Sequence, residues 1–233
     1  MLFRQLFEHD SYTYTYLVAD EPGGKAILID PVREEVPKYL QLLEELDLEL
    51  LYAIDTHVHA DHVTALGELR EKTGCQTVMG KQSAADCVSL RVEDGDVLRF
   101  GKLQVEALYT PGHTDDSYSF LMDDRVFTGD TLFIRGTGRT DFQNGDPRAQ
   151  YDSIFHKLLT LPEQTLVYPG HDYKGWTVST IWEEKRFNPR LQVKSVEEYV
   201  ELMNNLNLPN PRLMDVAVPA NRQCGMPSAQ PSA

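Results

Sequence analysis

The sequence has no long apolar run, and its amino terminus has no obvious targeting segment. No eighteen consecutive apolar residues occur among the 233 residues, so we expect no helix that crosses a membrane. The first residues lack an apolar secretory core with a small-residue cleavage site, and they lack the repeated arginines of a transit peptide. The expected location is therefore the cytoplasm.

Cysteine is scarce as well. Cys75, Cys87 and Cys224 are the three cysteines, and they are widely spaced with no C-x-x-C pair. This pattern supports neither a disulfide framework nor a zinc ribbon, so we expect three reduced thiols. Cys224 is interpreted as a packed structural cysteine, and the alternative is a redox-sensitive thiol near the functional site.

Positive charge is in short supply. The 22 Lys and Arg residues face 36 Asp and Glu residues, which gives a formal net charge of −14. Such a charge argues against nucleic acid or an anionic membrane surface as a partner. An anionic small substrate would need a local basic pocket. The hydrophobic fraction of 41% is ordinary for a globular chain.

Histidine, by contrast, is concentrated in one stretch. Residues 56–62 read T-H-V-H-A-D-H and follow a short apolar run typical of a buried strand. On an extended segment His57 and His59 point to the same side, while Asp61 and His62 would close the site from another side. Imidazole with carboxylate is the usual ligand set for first-row divalent metals. The alternative is a polar turn with solvated histidines, but the density of ligands favours a metal site.

Hydrophobic periodicity predicts mixed sheets covered by helices, in one domain over residues 1–225 with a disordered tail over 226–233. The predicted strands cover residues 3–7, 12–18, 26–29, 50–54, 77–79, 97–100, 103–109, 118–122, 125–128 and 166–168. The predicted helices cover residues 36–46, 63–72 (ending at a Gly74 cap), 147–159, 178–187 and 196–203 (with Ser195 as cap). Pro209, Pro211 and Pro219 are expected to break the remainder into irregular structure.

Four of the predicted strands end in a potential metal ligand. These ligands are the cluster at His57, then His113, Asp130 and His171, each following a tight turn that contains glycine or threonine. Taken singly, His113 and His171 could be solvated turn residues. Periodicity alone does not say whether the four positions converge in space.

The four motifs together resemble the metallo-β-lactamase superfamily along almost the whole chain. They are T-H-x-H-x-D-H, T-P-G-H-T, F-T-G-D-T-L and Y-P-G-H-D. The resemblance implies an αββα sandwich, with a metal site at one edge between two β-sheets, and up to two adjacent metals. The first metal would be held by His57, His59 and His113, the second by Asp61, His62 and His171, with Asp130 bridging.

Further stretches are similar to the persulfide dioxygenases, also called sulfur dioxygenases or ethylmalonic-encephalopathy-type proteins. These stretches are residues 6–7 with 12–17, 134–143, 188–191 and 217–221. This closer resemblance implies one Fe(II) per chain. The iron would be held by His57, His113 and Asp130, while His59, Asp61, His62 and His171 would support and orient these ligands. Thr137 departs from one form of the family's R-G-x-G-R-T-D-F stretch, in which a cysteine stands at this position.

The activity implied is the oxidation of glutathione persulfide by O2 and water to sulfite and glutathione. Two histidines and one carboxylate leave three adjacent open positions on an octahedral iron, enough for substrate sulfur and dioxygen. Because glutathione is anionic, the pocket needs cationic groups at its mouth. Arg139, Tyr173 and Arg190 are the candidates for substrate binding. For each, the alternative is a surface salt bridge or a packed tyrosine.

Two other functions remain open on the sequence. A glyoxalase-II-like hydrolase of glutathione thioesters would use two metals, and every ligand that it needs is present. A non-catalytic persulfide or metal sensor is the third hypothesis. The aromatic amino-terminal strands also offer a surface through which a homodimer could form.

Overall fold

Two β-sheets stacked face to face form the centre of the molecule. In the computed structural model, which describes residues 1–209 and 213–226, each sheet has six strands. The first sheet contains, as successive neighbours, β1 (Leu2–Glu8), β2 (Thr13–Ala19), β3 (Lys25–Ile29), β4 (Glu49–Ile54), β5 (Gln76–Gly80) and β6 (Leu90–Val92). The second contains β7 (Val97–Phe100), β8 (Leu103–Tyr109), β9 (Tyr118–Leu121), β10 (Arg125–Gly129), β11 (Leu166–Pro169) and β12 (Ser179–Thr180). Each sheet mixes parallel and antiparallel pairs.

Helices cover the outer face of each sheet. They are α1 (Val36–Glu45), α2 (Leu66–Thr73), α3 (Pro147–Tyr151), α4 (Ile181–Phe187), α5 (Val196–Asn204) and α6 (Met214–Asn221). The first two pack on the first sheet, where α6 joins them, and the next three pack on the second sheet. After α3 the chain continues through a π-helical turn at Asp152–Lys157 and a 3-10 turn at Leu158–Thr160. The predicted αββα sandwich is therefore confirmed.

The two faces of β2 show why the chain forms two stacked sheets. Side chains alternate along a strand, so Tyr14, Tyr16 and Val18 pack in the core between the sheets. Leu17 and Ala19 point the other way, into the core beneath the helices. A strand that is buried on both faces can lie only inside a layered fold.

Two predicted helix caps, Gly74 and Ser195, are confirmed. Gly74 ends α2 with a φ of 75°, a left-handed conformation that glycine adopts without a steric penalty. The Ser195 hydroxyl accepts a hydrogen bond from the Glu198 backbone N–H and begins α5. The predicted start of α2 at Val63 is three residues early.

Three predictions of secondary structure are wrong. The strand β6 was not predicted, because it is only three residues long. Ser179 and Thr180 extend the second sheet beside β11, so the helix predicted from Val178 begins at Ile181. The segment around Pro219 is helical in α6, because burial of Ala217 and packing of Val218 against the core of the first sheet offset the one backbone hydrogen bond that proline removes. Pro211 lies outside the described residues.

The expectation of three reduced thiols is also wrong. Cys87 and Cys224 form a disulfide, and Cys75 is a free, buried thiol. The paired cysteines are separated by 137 residues, and the fold brings their Cα atoms to 5.8 Å. Sequence spacing carries no signal for such a long-range pairing.

The expected tail is largely beyond the described part of the chain. Met226 is described and half-buried, whereas residues 227–233 lie outside the described residues, so the division into a domain and a tail stays a prediction. None of the helices in residues 1–209 and 213–226 has the length and apolar character needed to cross a bilayer.

Candidate metal centre

The carboxyl ends of four strands meet at one edge of the sandwich. The strands β8, β10 and β11 run in the same direction in the second sheet, so the turns that follow them lie together. These turns carry His113, Asp130 and His171, and the loop after β4 brings the histidine cluster from the first sheet. Potential ligand atoms of His57, His113 and Asp130 all lie within 4.8 Å of one another.

The tautomer of His57 follows from its hydrogen bonds. The Thr56 hydroxyl donates to Asp30 Oδ2 at 3.1 Å, so its oxygen is left to accept from His57 Nδ1 at 3.0 Å. Protonation at Nδ1 leaves the lone pair of His57 on Nε2. Burial lowers the pKa of His57 well below its usual value, so the ring is neutral at pH 7.

His113 is oriented by the backbone. Its Nδ1 donates to the Arg139 carbonyl oxygen at 2.7 Å, because a carbonyl can only accept. The lone pair therefore lies on Nε2, which is 3.5 Å from Asp130 Oδ2. His57 and His113 thus both offer Nε2 beside the same carboxylate.

Asp130 is held in the charged form that a metal requires. Burial alone would raise its pKa, but the neighbouring charge of His171 and the hydrogen bond from that ring lower the pKa of Asp130 well below its usual range. Two imidazole nitrogens and one anionic oxygen fit a divalent first-row metal such as iron.

Both ring nitrogens of His171 are hydrogen-bonded to carboxylates. Its Nδ1 bonds Asp130 Oδ1 at 2.8 Å, and its Nε2 bonds Asp61 Oδ2 at 2.8 Å. Burial would lower the pKa of His171, but the two carboxylates raise it well above the usual value. With one carboxylate on each ring nitrogen, His171 orients Asp130 in this structure. Asp61 also accepts from His62 Nδ1 at 2.9 Å, which continues this network to the histidine loop.

The remaining nitrogens of the cluster are the strongest sign of a second metal. Within the described residues, His59 Nδ1 and His62 Nε2 are buried without a hydrogen-bond partner, and with Asp61 these two histidines form another group of potential ligands. His59 Nε2 bonds Asp30 Oδ1 at 3.1 Å. Burial lowers the pKa of His59, but Asp30 raises it to about 9, so a second metal bound at Nδ1 would have to displace a proton.

A cavity of about 440 Å³ lies beside the proposed iron ligands His113 and Asp130. His113, Asp130 and His171 form its floor, and Phe133 and Ile134 contribute an apolar wall. The three predicted substrate-binding residues, Arg139, Tyr173 and Arg190, all line it, and so does Lys174, which sequence reasoning missed.

The three candidates differ in what their polar atoms already contact. Arg139 is bound at both edges, because Nε and Nη2 pair with Asp141 at 2.6 and 2.7 Å and Nη1 donates to the Pro209 carbonyl at 2.7 Å. Arg190 uses Nη1 alone, on the oxygens of Thr137 at 2.5 and 3.0 Å. Tyr173 is 64% exposed, and its ring lies nearly parallel to that of His171. Arg190 therefore keeps more N–H groups for a substrate than Arg139 does, and Tyr173 offers its hydroxyl.

Comparison with known proteins places this site in a family. The model of the metallo-beta-lactamase superfamily matches residues 10–87 and 88–171. The protein named persulfide dioxygenase ETHE1, mitochondrial, from Homo sapiens is 51% identical over 229 residues, which cover 97% of this chain and 89% of the relative. The chain belongs to the persulfide dioxygenase family of this superfamily. The resemblance inferred from the motifs is thereby confirmed.

Solved structures agree with this placement. The crystal structure of ETHE1 from Myxococcus xanthus matches this persulfide dioxygenase family member with a TM-score of 0.94 and 58% identity, over 97% of this chain and 100% of that one. A more distant neighbour, TTHA1623 crystallised in a di-iron-bound form, has a TM-score of 0.67 and 29% identity, over 80% and 98% of the two chains.

Asp30 is a second residue that sequence reasoning missed at the centre of this persulfide dioxygenase site. It binds the Thr56 backbone N–H and hydroxyl as well as His59, and thus positions both histidines of the H-x-H pair. Its φ of 51° is unusual for a residue with a side chain, and such conformations concentrate at functional sites. The available signal was its place directly after a predicted strand, the same signal that identified Asp130.

Proposed function

We propose that the chain uses one Fe(II), held by His57, His113 and Asp130, to oxidise glutathione persulfide. The overall reaction is GSSH + O2 + H2O → GSH + SO3²⁻ + 2 H⁺. The observation that carries the proposal is the convergence of ligand atoms from His57, His113 and Asp130 beside a cavity that His113 and Asp130 line. The persulfide dioxygenase relatives, about half identical over nearly the whole chain, support the same reaction.

Hydrogen bonds within the chain orient the proposed iron ligands before any substrate binds. When bound, ferrous iron would supply three adjacent open positions and the electrons that activate dioxygen. The Nδ1 bonds of His57 and His113 aim their Nε2 atoms, and His171 holds the carboxylate of Asp130 in one orientation. The apolar side of the cavity at Phe133 limits the water that competes for the open positions.

We propose that the cationic residues lining the cavity bind glutathione. Arg190 and Lys174 supply positive charge in a chain whose net charge is −14, and Tyr173 adds a hydroxyl. Arginine binds a carboxylate through two parallel hydrogen bonds, which gives direction as well as charge. We assign the carboxylates of glutathione to these groups.

Substitution of Arg190 tests this assignment. We expect Arg190→Ala to raise the apparent KM for glutathione persulfide about tenfold, the equivalent of about 1.4 kcal/mol, with a smaller change in kcat. Arg139→Ala should raise KM less, because Asp141 already binds that guanidinium. Steady-state oxygen uptake measures both. Lys194→Ala, which removes an exposed cation away from the cavity, is the matched control. An unchanged KM in Arg190→Ala would remove it from the substrate site.

The second candidate is a two-metal hydrolase of glutathione thioesters. The buried unpartnered nitrogens of His59 and His62 favour it, because they are atoms that a second metal would use. The double hydrogen bond of His171 argues against it, because both lone-pair positions of that ring face carboxylates. A non-catalytic sensor ranks last, since His113 and Asp130 line the cavity, where a substrate can reach a metal that they bind.

One set of measurements separates the three functions. The chain is purified without oxygen, its metal content is counted, and oxygen uptake is followed with glutathione persulfide. We expect one iron per chain and sulfite formed in step with oxygen consumed. Two metals with thioester hydrolysis and no oxygen uptake would establish the hydrolase. Metal bound with neither activity would establish the sensor.

Assembly and location are the remaining proposals. A homodimer through β1 is consistent with its place at the edge of the first sheet, and light scattering of the purified chain tests it. The cytoplasmic location stays a prediction, and the name of the human relative places that protein in mitochondria.

A further inference from the structure

The carboxyl-terminal segment binds the histidine loop through one buried side chain. The amide nitrogen of Asn221 donates to the carbonyl oxygens of His59 at 2.9 Å and His62 at 2.8 Å. Its amide oxygen accepts from the Thr64 backbone N–H at 2.8 Å. Asn221 is 2% exposed, so no solvent competes for these three bonds. One side chain therefore fixes the backbone on both sides of Asp61.

Two further hydrogen bonds connect the turn that Asn221 holds to the proposed metal ligand Asp130. Asp61 lies inside the turn that Asn221 holds, and its carboxylate binds His171. His171 in turn orients Asp130. Displacement of the turn would move the partner of His171 and so loosen Asp130.

The position of Asn221 depends on how the chain after α6 is attached. The Gly67 backbone N–H in α2 donates to the Cys224 carbonyl at 2.9 Å, an approach so close that a Cβ at Gly67 would lie 2.8 Å from that oxygen. The disulfide from Cys224 to Cys87 adds a covalent tie to the loop between β5 and β6. Cys224 itself has a φ of 55°, which residues with side chains rarely adopt.

We propose that residues 221–225 and the Cys87–Cys224 disulfide form a thiol-sensitive clasp on the metal centre. Asn221 is a positioning residue for the histidine loop, and the disulfide keeps it in place. Reduction of the disulfide leaves the segment attached by hydrogen bonds and packing alone, without a covalent tie, and weakens the binding of metal at the site. The proposal concerns the ligand loop and is independent of which reaction the metal supports.

The reduction needs only a small thiol. A thiolate attacks the Cys87 sulfur, which belongs to the half-buried member of the pair, and releases Cys224 as a thiolate. A second thiol then resolves the mixed disulfide. The sum is 2 RSH + Cys87–S–S–Cys224 → RSSR + two cysteine thiols, with two electrons passing from the small thiol to the protein. The reverse exchange with RSSR restores the clasp.

The first test compares the two redox states of the iron-loaded chain. The protein is equilibrated without oxygen in buffers of 2-mercaptoethanol and its disulfide, then desalted, and its thiols are counted by mass spectrometry after alkylation. Iron release to an excess of ferrozine is followed by absorbance. We expect release to be at least about tenfold faster from the reduced chain, the scale on which supporting contacts alter metal affinity. Hydrogen exchange of residues 57–64 should rise in parallel.

Variants decide whether the disulfide acts through Asn221. Cys87→Ala should release iron rapidly in every buffer, while Cys75→Ala should keep the redox response because that cysteine lies outside the clasp. In Asn221→Ala, reduction should accelerate release no further. Additive effects of Asn221→Ala and reduction would contradict the clasp, as would equal release from oxidised and reduced wild-type chains. Three free thiols in the most oxidising buffer would contradict it too.

A spectroscopic measurement separates positioning from general loss of stability. With Co(II) in place of iron, the visible bands report the geometry of the ligands. We expect Asn221→Asp, which keeps the acceptor for Thr64 but loses both donors, to shift these bands in a chain that still unfolds cooperatively. Unchanged bands in a folded variant would remove Asn221 from the support of the metal centre.

Discussion

Asp130→Asn leaves the purified chain with less than about a tenth of the wild-type iron, because it removes the one anionic ligand among three. The substitution preserves the size of the side chain, so the loss reports charge and not a cavity. Metal analysis of anaerobically reconstituted protein measures it. Asp130→Ala should have the same effect.

The control for Asp130 lies at the other end of the same strand. Asp124 precedes β10, pairs with Arg125 and is far more exposed. We expect Asp124→Asn to bind iron as the wild type does. If Asp130→Asn kept more than half of its iron, the ligand set proposed above would be incorrect.

His113→Ala and His171→Ala are expected to differ sharply in iron content. His113 offers an aimed Nε2, so its loss should reduce the bound iron as Asp130→Asn does. His171 has both nitrogens on carboxylates, so its loss should weaken iron affinity about ten- to a hundredfold and leave the site loadable at excess iron. Titration with Fe(II) without oxygen distinguishes the two. Equal loss in both variants would indicate a two-metal site.

His171→Ala should also cost more stability than His113→Ala. It leaves the buried Asp130 and the partly buried Asp61 without their shared cation, and breaking such a pair costs on the order of 3 kcal/mol. Urea unfolding of both variants without added metal measures the difference. His171→Gln, which keeps hydrogen-bonding atoms, should recover part of the loss.

These two results bear on the choice between oxidation and hydrolysis. The same seven ligand positions serve one metal or two, so residue identity alone does not separate the reactions. The contacts of each residue are the better guide. His57, His113 and Asp130 bring ligand atoms within 4.8 Å of one another, while both nitrogens of His171 are bonded to carboxylates.

Much of the fold was predictable because its signals are local. Alternation over a few residues marked ten of the strands, and the cap at Gly74 marked the end of α2. The misses were the three-residue β6, the strand start at Ser179 and the helix α6. The strand β6 is too short to show alternation, whereas at Ser179 and in α6 contacts with distant parts of the chain outweigh the preference of the segment itself.

By itself the sequence determined which residues could hold a metal, because strand, tight turn and ligand follow one another within a few positions. The roles of individual atoms came from the tertiary structure alone. It showed that Arg139 forms an ion pair with Asp141 and that Asn221 binds the histidine loop. It also joined Cys87 to Cys224 in a disulfide across 137 residues. The periodicity of a sequence does not identify long-range contacts, because their partners are set by how the sheets stack and not by neighbours in sequence.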